Sequence, residues 1–157
     1  MTIRTLQDLF GRLESFGDAT ALVVFTADGR RELGFAELCD RSATIAATLH
    51  GRGIGPGDRV ALFATNSVEW VLCRLALLRL NAVCVPIDYD TDAERLARIL
   101  AHSGARLMFV SPDLLGPARQ ALAATDGRIE PILLAAAEEP GGDGPAIATL
   151  DALVDAA

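Results

Sequence analysis

Apolar residues recur along the chain at two spacings, and the two alternate. Between Thr5 and Phe16, Leu6, Leu9, Phe10 and Leu13 fall on one face of a helix. In "ALVVFTADGRRELGF", residues 21–35, two apolar runs flank Ala27-Asp28-Gly29, and the Asp-Gly pair suits the tight turn of a β-hairpin. From Phe35 to His50 the spacing is helical again, with Leu38, Ala43, Ile45, Ala46 and Leu49 on or beside one face. Gly51 and Gly53 then end the helix. "DRVALFA" reads as a short buried strand, followed by a helix from about Ser67 to Leu80. "AVCVPI" reads as a further buried strand with Pro86 near its end, where a missing N–H does least harm. "TDAERLARILAHSG" is a helix with Thr91 as N-cap and Glu94 three residues on, a capping box. "RLMFV" (strand), "SPDLLGPARQALAAT" (helix), "RIEPILLAA" (strand) and "IATLDALVDAA" (helix) complete the series.

Strands alternating with helices predict an α/β fold: a mostly parallel, doubly wound sheet with flanking helices, right-handed crossovers and an N-terminal β-hairpin. Residues 1–157 form a single α/β subdomain, interrupted by one loop or linker, "EEPGGDGPA", at residues 138–146. No internal repeat or low-complexity tract is present.

Composition narrows the chemistry. Of 157 residues, 51% are hydrophobic and 22% charged, which suits a globular chain with a core rather than a disordered one. The apolar runs fall far short of the roughly 20 residues of a spanning helix. The N-terminus shows no basic-then-apolar leader, so a cytoplasmic protein without a membrane span is expected. Net charge is −7 and all 14 basic residues are arginine, scattered singly apart from Arg30-Arg31. No basic patch is visible, and no nucleic-acid partner is expected. Without lysine, these residues cannot supply a P-loop lysine, a Schiff-base lysine or a lysine general base. Cys39, Cys73 and Cys84 lack metal-ligand spacing and read as reduced, mostly buried thiols. His50 and His102 lie near predicted helix ends, as cations at helix C-termini do.

"GIGPGDRVALFATNSVEW" (residues 53–70) has the ingredients of a phosphate loop in the wrong order. Such a loop follows a strand and opens a helix. Here Gly53, Gly55 and Gly57 follow a helix and precede the strand, which makes them a helix end and a turn with Pro56 presetting its angle. At the other end of that strand, Asn66 or Ser67 caps the next helix, with Glu69 three residues after Asn66 as a second capping box. Open α/β sheets place ligands at the carboxyl ends of their strands. Asn66, Ser67 and Trp70 are therefore the candidate edge of a substrate pocket, although every strand-to-helix corner has this form and Trp70 also suits a packing anchor. "DYDTDAE" offers Asp88, Asp90 and Asp92 but has Ala93 where a calcium loop needs glycine and Ile99 where it needs glutamate. No catalytic, cofactor-binding or metal-ligating residue is identified.

In order, "LGFAEL", "GIGPGDRVALFATNSVEWV", "LALLRLNAVCVPID" and "ERLARILAHSGARLMFV" resemble the N-terminal part of the adenylate-forming enzymes. That superfamily includes acyl-CoA synthetases, fatty acyl-AMP ligases, luciferases and the adenylation domains of nonribosomal peptide synthetases. The resemblance runs from about Thr5 to Val110 and continues weakly beyond. It implies that the glycine turn is scaffold and that the nucleotide is held by later segments: a Ser/Thr/Gly-rich loop ending in lysine, an aromatic and acidic segment, and a C-terminal lid. None of these occurs here, and the chain ends near where the first would begin. The resemblance thus implies the N-terminal subdomain of a longer ligase, silent alone, whose full form would use ATP and Mg2+. Its partners would be the remaining subdomains and either CoA or a carrier-protein thiol.

"NSVEW" is similar to the acyl-CoA synthetases, whereas "VPID" followed by "AERL" is similar to aminoacyl-adenylating domains. Where many CoA ligases carry an Asn-Pro-Arg-like turn, this chain has "IDYDT", which puts direct transfer to CoA in doubt. A fatty or related acyl acid is the expected substrate, with an aminoacyl adenylation fragment as the alternative. A stand-alone, non-catalytic binding module on the same scaffold is a further reading; a small NAD- or FMN-binding protein lacks a suitable glycine loop. A severed subdomain should expose an apolar face and self-associate through it, while a finished module should not.

Overall fold

Successive side chains of a strand point to opposite faces, and here both faces of the main sheet are covered. The computed structural model describes residues 3–26, 29–125, 127–134 and 147–155. An N-terminal helix α1 (Leu6–Glu14) precedes an antiparallel hairpin of β1 (Thr20–Thr26) and β2 (Gly29–Gly34). The alternating part follows: α2 (Phe35–Gly51), β3 (Arg59–Phe63), α3 (Val68–Arg79), β4 (Val83–Ile87), α4 (Ala93–Ser103) and β5 (Leu107–Val110). A short 3-10 turn leads into α5 (Leu115–Ala123), and β6 (Glu130–Leu133), β7 (Ala148–Thr149) and α6 (Leu150–Asp155) close the chain. The five later strands form one parallel sheet in the order β4-β3-β5-β6-β7.

Val60 and Leu62 of β3 meet Leu107 and Phe109 of β5 and Ile132 of β6 on one face, beneath α2 and α3. Ala61 and Phe63, Met108 and Val110, and Leu133 form the other face beneath α4 and α5. Period-two burial on both sides is the signature of a doubly wound sheet. Leu72 and Leu77 of α3 and Leu96 of α4 have no exposed surface, and each contributes about 1.5–3 kcal/mol of apolar burial. The hairpin lies outside this sandwich. Leu33 joins the α2 core, whereas Val23 and Phe25 turn outward, Phe25 being 80% exposed.

The predicted α/β architecture and hairpin are observed, with three differences in detail. β4 is an edge strand rather than a buried one: Val83 is exposed and Cys84 and Val85 half-buried, because a single neighbour, β3, flanks it. An edge position also accommodates Pro86. Helix α4 is capped by Asp92, whose side chain accepts the Arg95 N–H at 2.8 Å, and not by Thr91. Thr91 is buried, with its own N–H on the Asp88 carbonyl. The two-residue strand β7 was not foreseen. Ala27 and Asp28 of the hairpin turn, and the linker at 138–146, lie outside the described residues. No helix among the described residues is long and apolar enough to cross a membrane.

Candidate functional site

The glycine stretch is structural throughout. Gly53 (φ 79°) donates to the His50 carbonyl and Ile54 to that of Leu49, which ends α2. Gly57 (φ 81°) donates to Asn81, and the Asp58 carbonyl accepts the Val83 N–H at 2.7 Å, so the turn joins the starts of β3 and β4. The Asp58 carboxylate accepts the Gly55 N–H at 2.9 Å and meets Arg106 at 3.2 Å. That backbone N–H, followed by Arg106, holds its carboxyl below the ordinary value. Every donor here faces a protein acceptor, so the turn is no phosphate cradle.

In doubly wound sheets ligands lie at the other end, the carboxyl end of the strands. β4-β3-β5-β6-β7 is the arrangement in which the chain first winds to one side of the starting strand and then to the other. In such sheets the crevice opens between the carboxyl ends of the starting strand and its neighbour across the switch, here β3 and β5. After β3 the chain runs through buried Ala64, half-buried Thr65 and exposed Asn66 to Ser67. Ser67 caps α3: its hydroxyl oxygen accepts the Trp70 N–H at 3.1 Å. The N3 position is therefore Trp70, not Glu69, and the capping box expected from Asn66 and Glu69 is absent because the helix begins one residue later. Trp70 is half-buried against the α2–α3 core.

Across the crevice stands Ser111, a residue the sequence reading passed over. It is buried, its N–H donates to Phe63, and its hydroxyl oxygen accepts the Thr65 N–H at 3.2 Å. A side chain at the end of β5 thus ties down the loop that leaves β3. The signal was present: a serine directly after the apolar run "RLMFV" and before Pro112 sits where a strand yields to a helical turn.

Asn66 and Ser67 thus leave β3 at the switch point, while Trp70 opens α3 packed against the α2–α3 core. Their chemistry is that of hydroxyls, an amide and the N–H groups of a helix start, suited to holding a polar or anionic group. His50 and His102 occupy the last turns of α2 and α4, at the amino end of the sheet. Among the described residues no group of three His, Cys, Asp or Glu side chains could hold a metal ion. Asp88 and Asp90 are exposed and Asp92 is spent on its cap. The cysteines are free; burial raises the thiols of Cys39, Cys73 and Cys84 above their ordinary value, Cys73 most strongly.

Comparison with known proteins defines the class. Residues 9–151 match the AMP-binding enzyme family, and the chain belongs to that family. It is 31% identical over 132 residues to the crotonobetaine/carnitine–CoA ligase of Salmonella paratyphi A, which covers 83% of this chain and 26% of the ligase. It is 35% identical over 113 residues to tyrocidine synthase 2 of Brevibacillus parabrevis, covering 71% of this chain and 3% of the synthase. The fold superposes on the adenylation domain of a carboxylate reductase from Mycobacterium chelonae with a TM-score of 0.82 at 22% identity, over 99% of this chain and 29% of that one. The chain therefore spans about a quarter or less of the curated relatives described here.

Proposed function

We propose that the chain is the N-terminal subdomain of an ATP-dependent carboxylate-activating ligase. The full protein would join a carboxylic acid to the α-phosphate of ATP, releasing pyrophosphate, and pass the acyl group to a thiol. The observation that carries this reading is the family match across residues 9–151. In this reading the subdomain supplies a scaffold and one pocket edge, formed by Asn66, Ser67 and Trp70. The place of Asn66 and Ser67 at the β3/β5 crevice supports that role.

Magnesium and ATP do not fit the residues present. Charge developing on phosphorus needs cations or a metal; the chain has no lysine, and among the described residues no carboxylate set could hold a metal ion. The nucleotide is therefore assigned to later segments, and the isolated chain to a catalytically silent state. The outward Val23 and Phe25 of the hairpin support a surface that further chain covers.

A fatty or related acyl acid is the proposed substrate. The likeness to tyrocidine synthase 2 favours a second reading, an aminoacyl acid delivered to a carrier-protein thiol. Incubating the full-length protein with ATP, Mg2+ and a fatty, aryl or amino acid, and detecting the acid adenylate by mass spectrometry, separates the two. A fatty acyl-AMP is the expected product. An adenylate formed with amino acids alone would establish the second reading, and none with any acid would overturn both.

A further inference from the structure

Folding gathers at the amino end of the sheet what the sequence scatters. Arg52 follows α2, Arg106 precedes β5 and Arg128 precedes β6, and the three line one hollow of about 210 Å3 with Glu130. Arg106 and Arg128 also border an adjoining hollow of about 390 Å3, walled mainly by Leu100, Ala101, Ala105 and Ile129. The larger hollow alone falls within the size range of small-molecule sites. The sequence impression of dispersed arginines does not survive folding.

Part of this positive charge has a structural purpose. Helices α2 and α4 end here, and their carbonyls are the negative ends of the helix dipoles. Arg59 is consumed by that need, donating to Ser103 at 2.9 Å and Gly104 at 3.0 Å. Arg106 gives one nitrogen, Nη1, to the Gly53 carbonyl and Asp58. Arg52 uses Nη2 on Glu130. Both retain further N–H groups. Arg128 is exposed and makes no hydrogen bond or ion pair among the described residues. A guanidinium fork matches the oxygens of a carboxylate or phosphate, and one left unspent beside a half-spent neighbour is a ready receptor for an oxyanion.

We propose that this end of the sheet binds a small amphiphile with an oxyanion head and a short hydrocarbon body. The head meets Arg106 and Arg128 beside Arg52, and the body lies against Leu100, Ala101 and Ile129. The site is at the opposite end of the strands from the β3/β5 crevice, so its occupant does not compete there. The proposal stands independently of the ligase reading.

Titrating the 15N-labelled full chain with hexyl phosphate, hexanoate and inorganic phosphate tests it. Saturable shifts are expected at the Arg106 and Arg128 side-chain Nε–H groups and at the Ala101, Thr125 and Ile129 amides. The six-carbon ligands should bind more tightly than inorganic phosphate, and whichever six-carbon head binds better identifies the source of the oxyanion. Arg128→Gln, at an exposed and uncommitted position, should weaken binding about tenfold, the size of a charged hydrogen bond. Arg98→Gln, which removes an exposed partner of Glu94 on α4, should leave it unchanged. Shifts centred on Thr65, Ser67 and Ser111, shifts that never saturate, or equal effects of the two variants would overturn the proposal.

Discussion

Replacing Ser111 by alanine removes one oxygen from the crevice and little else. The side chain is buried, and that oxygen accepts the N–H of Thr65, a residue 46 positions away. Alanine fits the same space, so the perturbation is the loss of an acceptor rather than a packing change. A buried donor left unmet costs about 1–3 kcal/mol. Thr65 is only half-buried, so water recovers part of this, and we take about 1–2 kcal/mol. With a urea slope of about 2 kcal/mol per molar, the midpoint should fall by about 0.5–1 M. Trp70 is the sole tryptophan and its N–H is held by the α3 cap, so its fluorescence reports unfolding from the site itself. Hydrogen exchange at the Thr65 amide should accelerate in Ser111→Ala and stay slow in Ser111→Thr, which keeps the hydroxyl. An unchanged midpoint together with unchanged Thr65 exchange would refute the claim that Ser111 fastens the β3 exit.

Gly104 ends α4 at φ 60°, and a Cβ there would come within 2.9 Å of an Arg59 nitrogen. Gly57 has φ 81° with no atom within 4 Å of its Cβ position. Both alanine variants carry the left-handed backbone penalty of about 1–2 kcal/mol, so Gly104→Ala should be the less stable by urea denaturation; the reverse order would count against Arg59 as the cap of α4. Asp58, held low chiefly by the Gly55 N–H and then by Arg106, contributes stability that is complete above the ordinary value of 3.8 and is lost as pH falls through its lower folded value. Asp58→Asn should therefore be destabilised at neutral pH and approach the parent in acid, as urea midpoints against pH will show. Maleimide should label native Cys84 before Cys73, whose thiol is fully buried, and reach Cys73 only on unfolding; mass mapping that found Cys73 first would contradict the packing of α3 on β4.

Local patterns carried most of the fold. Val60 and Leu62 against Ala61 and Phe63 announce a strand whatever lies around it, and the glycines of residues 53–57 announce a turn by standing before a strand instead of after one. What stayed hidden depends on partners distant in the chain. "VCVPI" is as apolar as a central strand, and only the strand order reveals that among the described residues one flank has no neighbour. Thr91 and Asp92 are both good caps, and the choice fell to Asp92 because Thr91 is drawn into the turn by Asp88. The candidate site was legible as a corner, since Asn66, Ser67 and Trp70 are contiguous. Its second wall, Ser111, was not, and neither was the convergence of Arg52, Arg106 and Arg128, because β3 pairs with β5 out of sequence order, bringing Ser111 to Thr65 and Arg52 towards Arg106, with Arg128 joining from the start of β6.

The central claim is that these 157 residues are scaffold for a ligase whose ATP-handling groups lie in further chain. ATP–pyrophosphate exchange, measured side by side on the purified chain and on the product of its natural reading frame with the same carboxylic acids, addresses it most directly. The account predicts acid-dependent exchange from the longer protein and none from the chain. Exchange by the chain alone, or a reading frame that ends at Ala157, would contradict it.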